Sequence, residues 1–353
     1  MCLVVDPSWL FPVVVFNPSQ SCASPIVFIN SDSRKMSAKE SEKLREREMQ
    51  SQNPSKEKEV IHDGDRVLLY LDTRRTWLVQ VHSTSHPFHT HAGIVEIASA
   101  IGKKFGDRIT TTLGEDILLL RPVTLDYIMK SERRTQIVYP KDFSYISARS
   151  GICSGSRVLE CGTGSGALTS YFASLVAPTG QVHTFEERND FFQIAKKNVE
   201  KTGLSDYVRF ENVNLLNATT IEDSSYDLAL LDTGDPWTLL GIAHRALKGS
   251  GFVFCICPTT NQLEKVVYEM KAKGLFCDVE SVEILLRHME AREGKTRPSM
   301  RMIGHTCYLA SGRKITAPIT SPPSSHPIGE EEEDEDEGQP RLIENVISSE
   351  PQG

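Results

Sequence analysis

Three carboxylates stand at the same kind of place in this chain. Glu160 follows RVL, Glu186 follows QVHTF, and Asp232 follows YDLALL. Each acid ends a short apolar run that reads as a buried strand. Ligands in open α/β sheets bind beyond the carboxyl ends of the strands, so acids at three such ends can converge on one ligand. Directly after Glu160 come Cys161, Gly162, Thr163, Gly164, Ser165, Gly166, Ala167 and Leu168. A glycine loop between strand and helix lets the backbone approach a ligand and presents amides at the helix start. Gly162, Gly164 and Ala167 also fit a dinucleotide pattern, or a purely structural turn. The preceding Glu160 favours a neutral-to-cationic ligand over a pyrophosphate.

The order E-x-G-x-G-x-G after a first strand is similar to that of class I S-adenosylmethionine methyltransferases. Glu186, about 20 residues past the loop, is suited to hydrogen-bond ribose hydroxyls. It is preferred over Glu187 because it directly follows Phe185. The third strand, VRFENVN, is expected to end at Asn214, whose amide can contact adenine. Asp232 opens the turn DTGDPW. A target nitrogen donating a hydrogen bond to Asp232 would gain electron density for attack on a methyl group, and the carboxylate would stabilise the positive charge that develops. A plain helix cap is the competing role for Asp232, and two solvated acids at a helix start the competing reading of Glu186 and Glu187.

The elements that must position these residues follow from periodicity. Residues 58–125 alternate as β structure (VLLYL, TWLVQV, ITTTLG, ILLLRP) and form a small β-rich domain. Leu125–Met129 reads as a short helix. From Ser156 strands and helices alternate: RVLEC, ALTSYFASLVA, QVHTFEE, RNDFFQIAKKNVEKT stopped by Gly203, YVRFENVN, YDLALLD, LLGIAHRALK, GFVFCIC, TNQLEKVVYEMKAKG and FCDVESVEIL. The expected fold class is α/β, a class I methyltransferase Rossmann-like doubly wound sheet preceded by a small N-terminal β domain. The expected domains are a disordered extension (1–57), the β-rich domain (58–125), the methyltransferase domain (126–312) and a disordered acidic tail (313–353).

Charge supports the tail. Of 47 acids, eight fall in the run Glu330–Glu337, which leaves 39 acids against 39 Lys and Arg in the rest. The folded part is therefore near neutral, and the tail is a solvating or partner-binding segment. No apolar run approaches the ~20 residues of a membrane-spanning helix, and no membrane partner is expected. Eight cysteines form no CxxC pair and several sit inside strands, which points to reduced, buried thiols. MCLVVDPSWLFPVVVF has no basic start and is broken by Asp6 and Pro12, unlike a secretory signal. The expected compartment is nucleus or cytoplasm, with the mitochondrion as an alternative.

Seven segments occur in one order: FHTHAGIVE (Phe88–Glu96), TQIVYPKD (Thr135–Asp142), VLECGTGSGALT (Val158–Thr169), HTFEERNDF (His183–Phe191), LDTGDPW (Leu231–Trp237), PTTNQ (Pro258–Gln262) and GHTCYL (Gly304–Leu309). Together they resemble the tRNA (adenine-58-N1) methyltransferase family, closer to its single-subunit archaeal and bacterial branch, over roughly residues 58–312. The resemblance implies that Glu160, Gly162–Leu168, Glu186 and Asn214 hold S-adenosylmethionine with help from Gln136. It implies that Asp232 orients the target adenine through its exocyclic amine, leaving N1 to attack the methyl. It also implies a tRNA partner, a T-loop adenine flipped out of the folded tRNA before reaction, and a homotetramer or a heterotetramer with a non-catalytic subunit. Gly234 stands where the family usually has proline, so a looser turn is expected. Asn214 stands where aspartate is usual, so weaker cofactor affinity is expected.

Alternative readings are a related methyltransferase acting on another RNA base or a protein carboxylate, and a non-catalytic tRNA-binding subunit. His82, His86, His89 and His91 have a loop spacing that suits zinc poorly, and no metal is expected. Lys130, Arg133, Arg134 and Lys141, and again Arg287, Arg292, Lys295, Arg297 and Arg301, are candidate phosphate contacts.

Overall fold

The computed structural model describes residues 59–134 and 136–317. The expected N-terminal extension, the acidic run and Thr135 lie outside the described residues. The first strands are β1 (Arg66–Asp72), β2 (Arg75–Gln80), β3 (Phe88–Thr90), β4 (Gly93–Val95), β5 (Arg108–Thr110) and β6 (Asp116–Leu120). Four of them form an antiparallel sheet in the order β2-β1-β6-β5, and β3 and β4 pair as a separate hairpin. Period-2 alternation puts Val67 and Leu69 of β1 and Ile117 and Leu119 of β6 on one buried face, where they pack with Ile61 and Val95. The expected strand ITTTLG is shorter than its pattern. Thr111 leaves the ladder because its hydroxyl donates to the Ala92 carbonyl at 2.6 Å, and a turn through Gly114 follows.

Two helices come next, α1 (Thr124–Lys130) and α2 (Pro140–Ser150). The second had no counterpart in the sequence reading. Pro140 pre-sets the backbone of its first turn, Phe143 and Ile146 bury one face, and left-handed Gly151 ends it.

The larger sheet is built from β7 (Arg157–Cys161), α3 (Ala167–Val176), β8 (Gln181–Phe185), α4 (Asn189–Thr202), β9 (Val208–Glu211), β10 (Tyr226–Leu231), α5 (Leu240–Ala246), β11 (Leu247–Cys257), α6 (Thr260–Ala272), β12 (Phe276–Val282), a short hairpin of β13 (Met289–Glu290) and β14 (Arg297–Pro298), and β15 (Tyr308–Lys314). Seven strands lie in the order β12-β15-β11-β10-β7-β8-β9. The five from β11 to β9 are parallel, and β15 inserts antiparallel between β11 and β12. β15 carries the ordered chain to Lys314, past the expected boundary at 312.

Alternate residues of the central strands serve two separate cores. Val158, Leu230 and Phe254 face α2 and α3, while Leu159, Leu231 and Cys255 face α5 and α6. Both faces are covered, which is why these strands read as continuous apolar runs. Each fully buried Leu contributes about 1.5–3 kcal/mol of burial. β7 pairs with β8 on one side and β10 on the other, so strand order reverses at β7, where an open α/β sheet forms its crevice.

Candidate active site

The loop after β7 turns sharply because glycines allow it. Gly162 has φ +93°, and a Cβ on it would lie 2.0 Å from the Asp232 carbonyl oxygen. The Asp232 amide donates to the Cys161 carbonyl at 2.8 Å. The tips of β7 and β10 are thus held together at backbone distance, which only glycine permits. α3 starts at Ala167 behind left-handed Gly166.

Above this junction lies an open pocket of about 680 Å³, within the range of small-molecule sites. Gln136, Gly162, Thr163, Gly164, Ser165, Ala167, Leu168, Glu186, Asn214 and Asp232 all line it. Two expected residues do not. Gly166 lies behind the wall, where an added Cβ would press on Ala195 of α4 at 3.2 Å. Glu160 is completely buried beneath the loop. The Thr169 hydroxyl donates to its Oε2 at 2.7 Å, and Oε1 has no partner among the described residues.

The carboxylates differ in environment. Burial pushes Glu160 up to about 8, against the lowering effect of Thr169, and the charges of Asp232 and Glu186 add to the rise. Burial also pushes Asp232 up to about 7, helped by Glu186. Asp232 is half-buried, and no group among the described residues hydrogen-bonds its carboxylate. Glu186 instead serves the loop: its Oε2 accepts from the Gly164 amide at 3.0 Å, and its Oε1 from the Arg188 amide at 3.1 Å. Glu186 and Asp232 in one crevice favour a cationic ligand and oppose a pyrophosphate.

Asn214 lies in the pocket wall as expected, but beyond the strand it was expected to end. β9 ends at Glu211, and Asn214 caps a 3-10 turn at Leu215–Asn217, accepting from the Leu216 amide at 2.9 Å and donating to Glu187 at 2.7 Å. It lines the pocket as a capping residue because its local backbone hydrogen bond competes with strand extension.

Gln262 was missed as a pocket residue. Its amide donates to the Gly234 carbonyl at 2.9 Å while its oxygen accepts from Thr259, closing the capping box of α6. The T-x-x-Q spacing in PTTNQ was the available signal. The turn at Gly234 is therefore tethered rather than loose. The segment GHTCYL supports the same rim: His305 bridges Glu283 at 2.7 Å and the Pro258 carbonyl at 2.9 Å. The described cysteines are free, and burial raises the Cys257 and Cys307 thiols to about 12, which leaves them without thiolate character.

Lys141 is not a phosphate contact. Its ammonium is buried between Asp142 at 2.6 Å and Thr306 at 2.6 Å. Arg134 pairs with Asp190 and Arg297 with Glu290, whereas Lys130 donates to the Thr76 carbonyl. Among the described residues no three metal-ligating side chains converge; His82 faces Asp63, and His91 faces Arg75.

Comparison with known proteins agrees with this geometry. The family described as tRNA methyltransferase complex GCD14 subunit matches residues 117–303. A curated relative, the tRNA (adenine(57)-N(1)/adenine(58)-N(1))-methyltransferase TrmI of Methanocaldococcus jannaschii, is 33% identical over 257 residues, 66% of this chain and 89% of its own. Among solved structures, an S-adenosylmethionine-dependent O-methyltransferase of Thermotoga maritima superposes with a TM-score of 0.69 at 33% identity, covering 73% of this chain and 96% of its own. The tRNA (m1A58) methyltransferase TrmI of Aquifex aeolicus superposes with a TM-score of 0.64 at 31% identity, covering 73% and 100%.

Proposed function

The chain belongs to the tRNA methyltransferase complex GCD14 subunit family, and from that premise we infer that it methylates N1 of an adenine in tRNA, position 58, with S-adenosylmethionine as donor. The observation that carries the reading is Asp232. It is a half-buried carboxylate without a hydrogen-bond partner among the described residues, at the switch point of the sheet and in the same pocket as the glycine loop.

The residues present fit the donor. S-adenosylmethionine supplies an electrophilic methyl on a sulfonium and carries an ammonium group. Glu160 Oε1 lacks a partner below the loop, Gly162 leaves a cradle that a Cβ would fill, and the crevice is acidic. We assign Gly162–Ser165, Ala167 and Leu168 to close contact with the donor and Glu186 to the ribose side. Gln136, exposed at the rim, is assigned to contacts at the pocket mouth.

Asp232 accepts a hydrogen bond from the exocyclic amine of the flipped adenine and holds N1 toward the methyl. As N1 gains positive charge, the ionised carboxylate stabilises it. Alignment supplies most of the remaining rate. Pro236 and Trp237 follow in a short 3-10 turn, and Lys265 lies 4.8 Å over the Trp237 ring, which fixes the turn behind Asp232.

The assembly reading is also ours. The segment between β12 and β15 exposes Leu285 (61%), Met289 (58%), Met300 (80%) and Ile303 (51%). So much apolar surface on a basic arm is unusual for a monomer, and we propose that it packs on a second copy in a homotetramer. A heterotetramer with a non-catalytic partner is the other outcome. Light scattering of the purified chain separates the two: a tetramer alone supports the first, and a monomer that assembles only with a second protein supports the second.

The function is tested with purified protein, labelled S-adenosylmethionine and an unmodified tRNA transcript, followed by mass identification of nucleosides. N1-methyladenosine formed by the wild type and lost in Asp232→Ala is expected. Another methylated nucleoside would overturn the reading.

A further inference from the structure

We propose that the small β unit carries a second RNA contact: a shallow basic and aromatic depression on edge strand β2 that holds the tRNA segment flanking the flipped adenine. The inference rests on the tRNA reading above. The depression, about 510 Å³, is lined by Arg74, Arg75, Trp77, Phe88 and Lys130 among others.

Its aromatic part is prearranged. Trp77 meets Phe88 edge-on, with ring centroids 5.9 Å apart, and both rings are only partly buried. Stacking of bases on such rings tolerates any sequence, because every base has a π face. Its basic part is only partly neutralised. Asp72 pairs with Arg75, whose guanidinium also reaches His91 Nε2 at 2.7 Å. The Arg74 guanidinium is exposed and has no partner among the described residues. Lys130 donates one hydrogen bond to the Thr76 carbonyl at 2.7 Å and keeps its remaining N–H groups. Three cations against one acid around two rings complement a polynucleotide. Lys130 by itself would only shield a strand edge, and Trp77 and Phe88 also pack on the core of the β unit; neither role uses the unpaired Arg74 or the exposed part of the rings.

Position supports the same occupant. Lys130 precedes Gln136, which lines the catalytic pocket, by six residues. Six residues span at most roughly 20 Å. The depression and the rim of the catalytic pocket are therefore close enough for one bound RNA to meet both.

The test measures binding of an unmodified tRNA transcript to the full chain across a salt series, for wild type, Arg74→Ala and Arg74→Ala/Lys130→Ala. The expected result is about tenfold weaker binding for the double variant and a salt slope shallower by about two, with S-adenosylmethionine affinity unchanged. Arg74→Ala removes no internal contact, so its smaller loss is readable even if Lys130→Ala disturbs β2. Crosslinking of the wild type to 4-thiouridine-containing transcript should label the peptide holding Trp77 or Phe88. Unchanged affinity and slope, with crosslinks confined to other peptides, would overturn the proposal while leaving the methyltransferase reading intact. Equal weakening toward polyglutamate would overturn it in favour of a general anion surface. A wild type that neither binds nor methylates tRNA would remove the tRNA reading and this inference together.

Discussion

Gly162 and Asp232 touch through their backbones: a Cβ at position 162 would stand 2.0 Å from the Asp232 carbonyl oxygen. The glycine loop and the acid that faces the substrate are therefore one rigid junction, although 70 residues separate them. Gly162→Ala must push β10 away from β7 and also adopt φ +93°. A loss of about 2–4 kcal/mol in denaturant unfolding is expected, together with loss of S-adenosylmethionine binding by calorimetry. A variant of wild-type stability would refute the junction.

Glu160 sets a pH dependence. Its folded value is raised to about 8, above the usual carboxylate range near 4.5. The folded state therefore holds a proton that the unfolded state releases. Stability of the free protein should fall as pH rises from about 4.5 to 8 and level off above that window. Asp232, raised to about 7, acts in the same direction. Glu160→Gln should flatten the slope in urea unfolding between pH 5 and 8, stabilise the free protein at pH 8, and weaken cofactor binding. An unchanged slope would mean that Glu160 is ionised when buried.

Gln262 is expected to act on the turn rather than on the methyl. Gln262→Ala releases the Gly234 carbonyl and opens the capping box of α6. About 1 kcal/mol of stability should be lost, with KM for S-adenosylmethionine or tRNA rising more than kcat falls.

At Gly234 itself an added Cβ meets nothing within 4 Å. Gly234→Ala should be neutral or stabilising by about 0.4–1 kcal/mol through the unfolded state. Thermal melting checks this, and a marked loss would show that the turn needs glycine.

Lys141 should behave as a core residue. Its ammonium bridges Asp142 and Thr306 with a side-chain exposure of 7%, and that of Asp142 is 0%. Lys141→Met leaves the buried Asp142 carboxylate without its counter-charge, with only the Thr306 hydroxyl donating to it at 2.8 Å, and should cost about 3–5 kcal/mol. The salt slope of tRNA binding by the remaining folded protein should not change. A shallower slope with normal stability would restore Lys141 as a phosphate contact.

The sequence by itself determined the alternation of strands and helices, the glycine loop and the three acids at strand ends. Those are local or periodic features, and the backbone obeys them wherever the strand lies in the sheet. It also carried the pocket, since nearly every residue expected there lines it. Tertiary structure decided what depends on pairing across long separations. β15 enters antiparallel between β11 and β12, a place that no pattern within GHTCYL encodes. Lys141 is consumed by Thr306, 165 residues away, so a residue that looked like a surface cation became buried. Glu160 drops below the loop while Asp232 stays open, because the Thr169 hydroxyl on α3 faces the first and nothing described faces the second. Asn214 leaves strand geometry because its side chain finds the Leu216 amide two residues on. For β15 and Lys141 the deciding term is pairing or a hydrogen bond between segments that the fold alone brings together, whereas for Asn214 it is a local turn that outcompetes the strand.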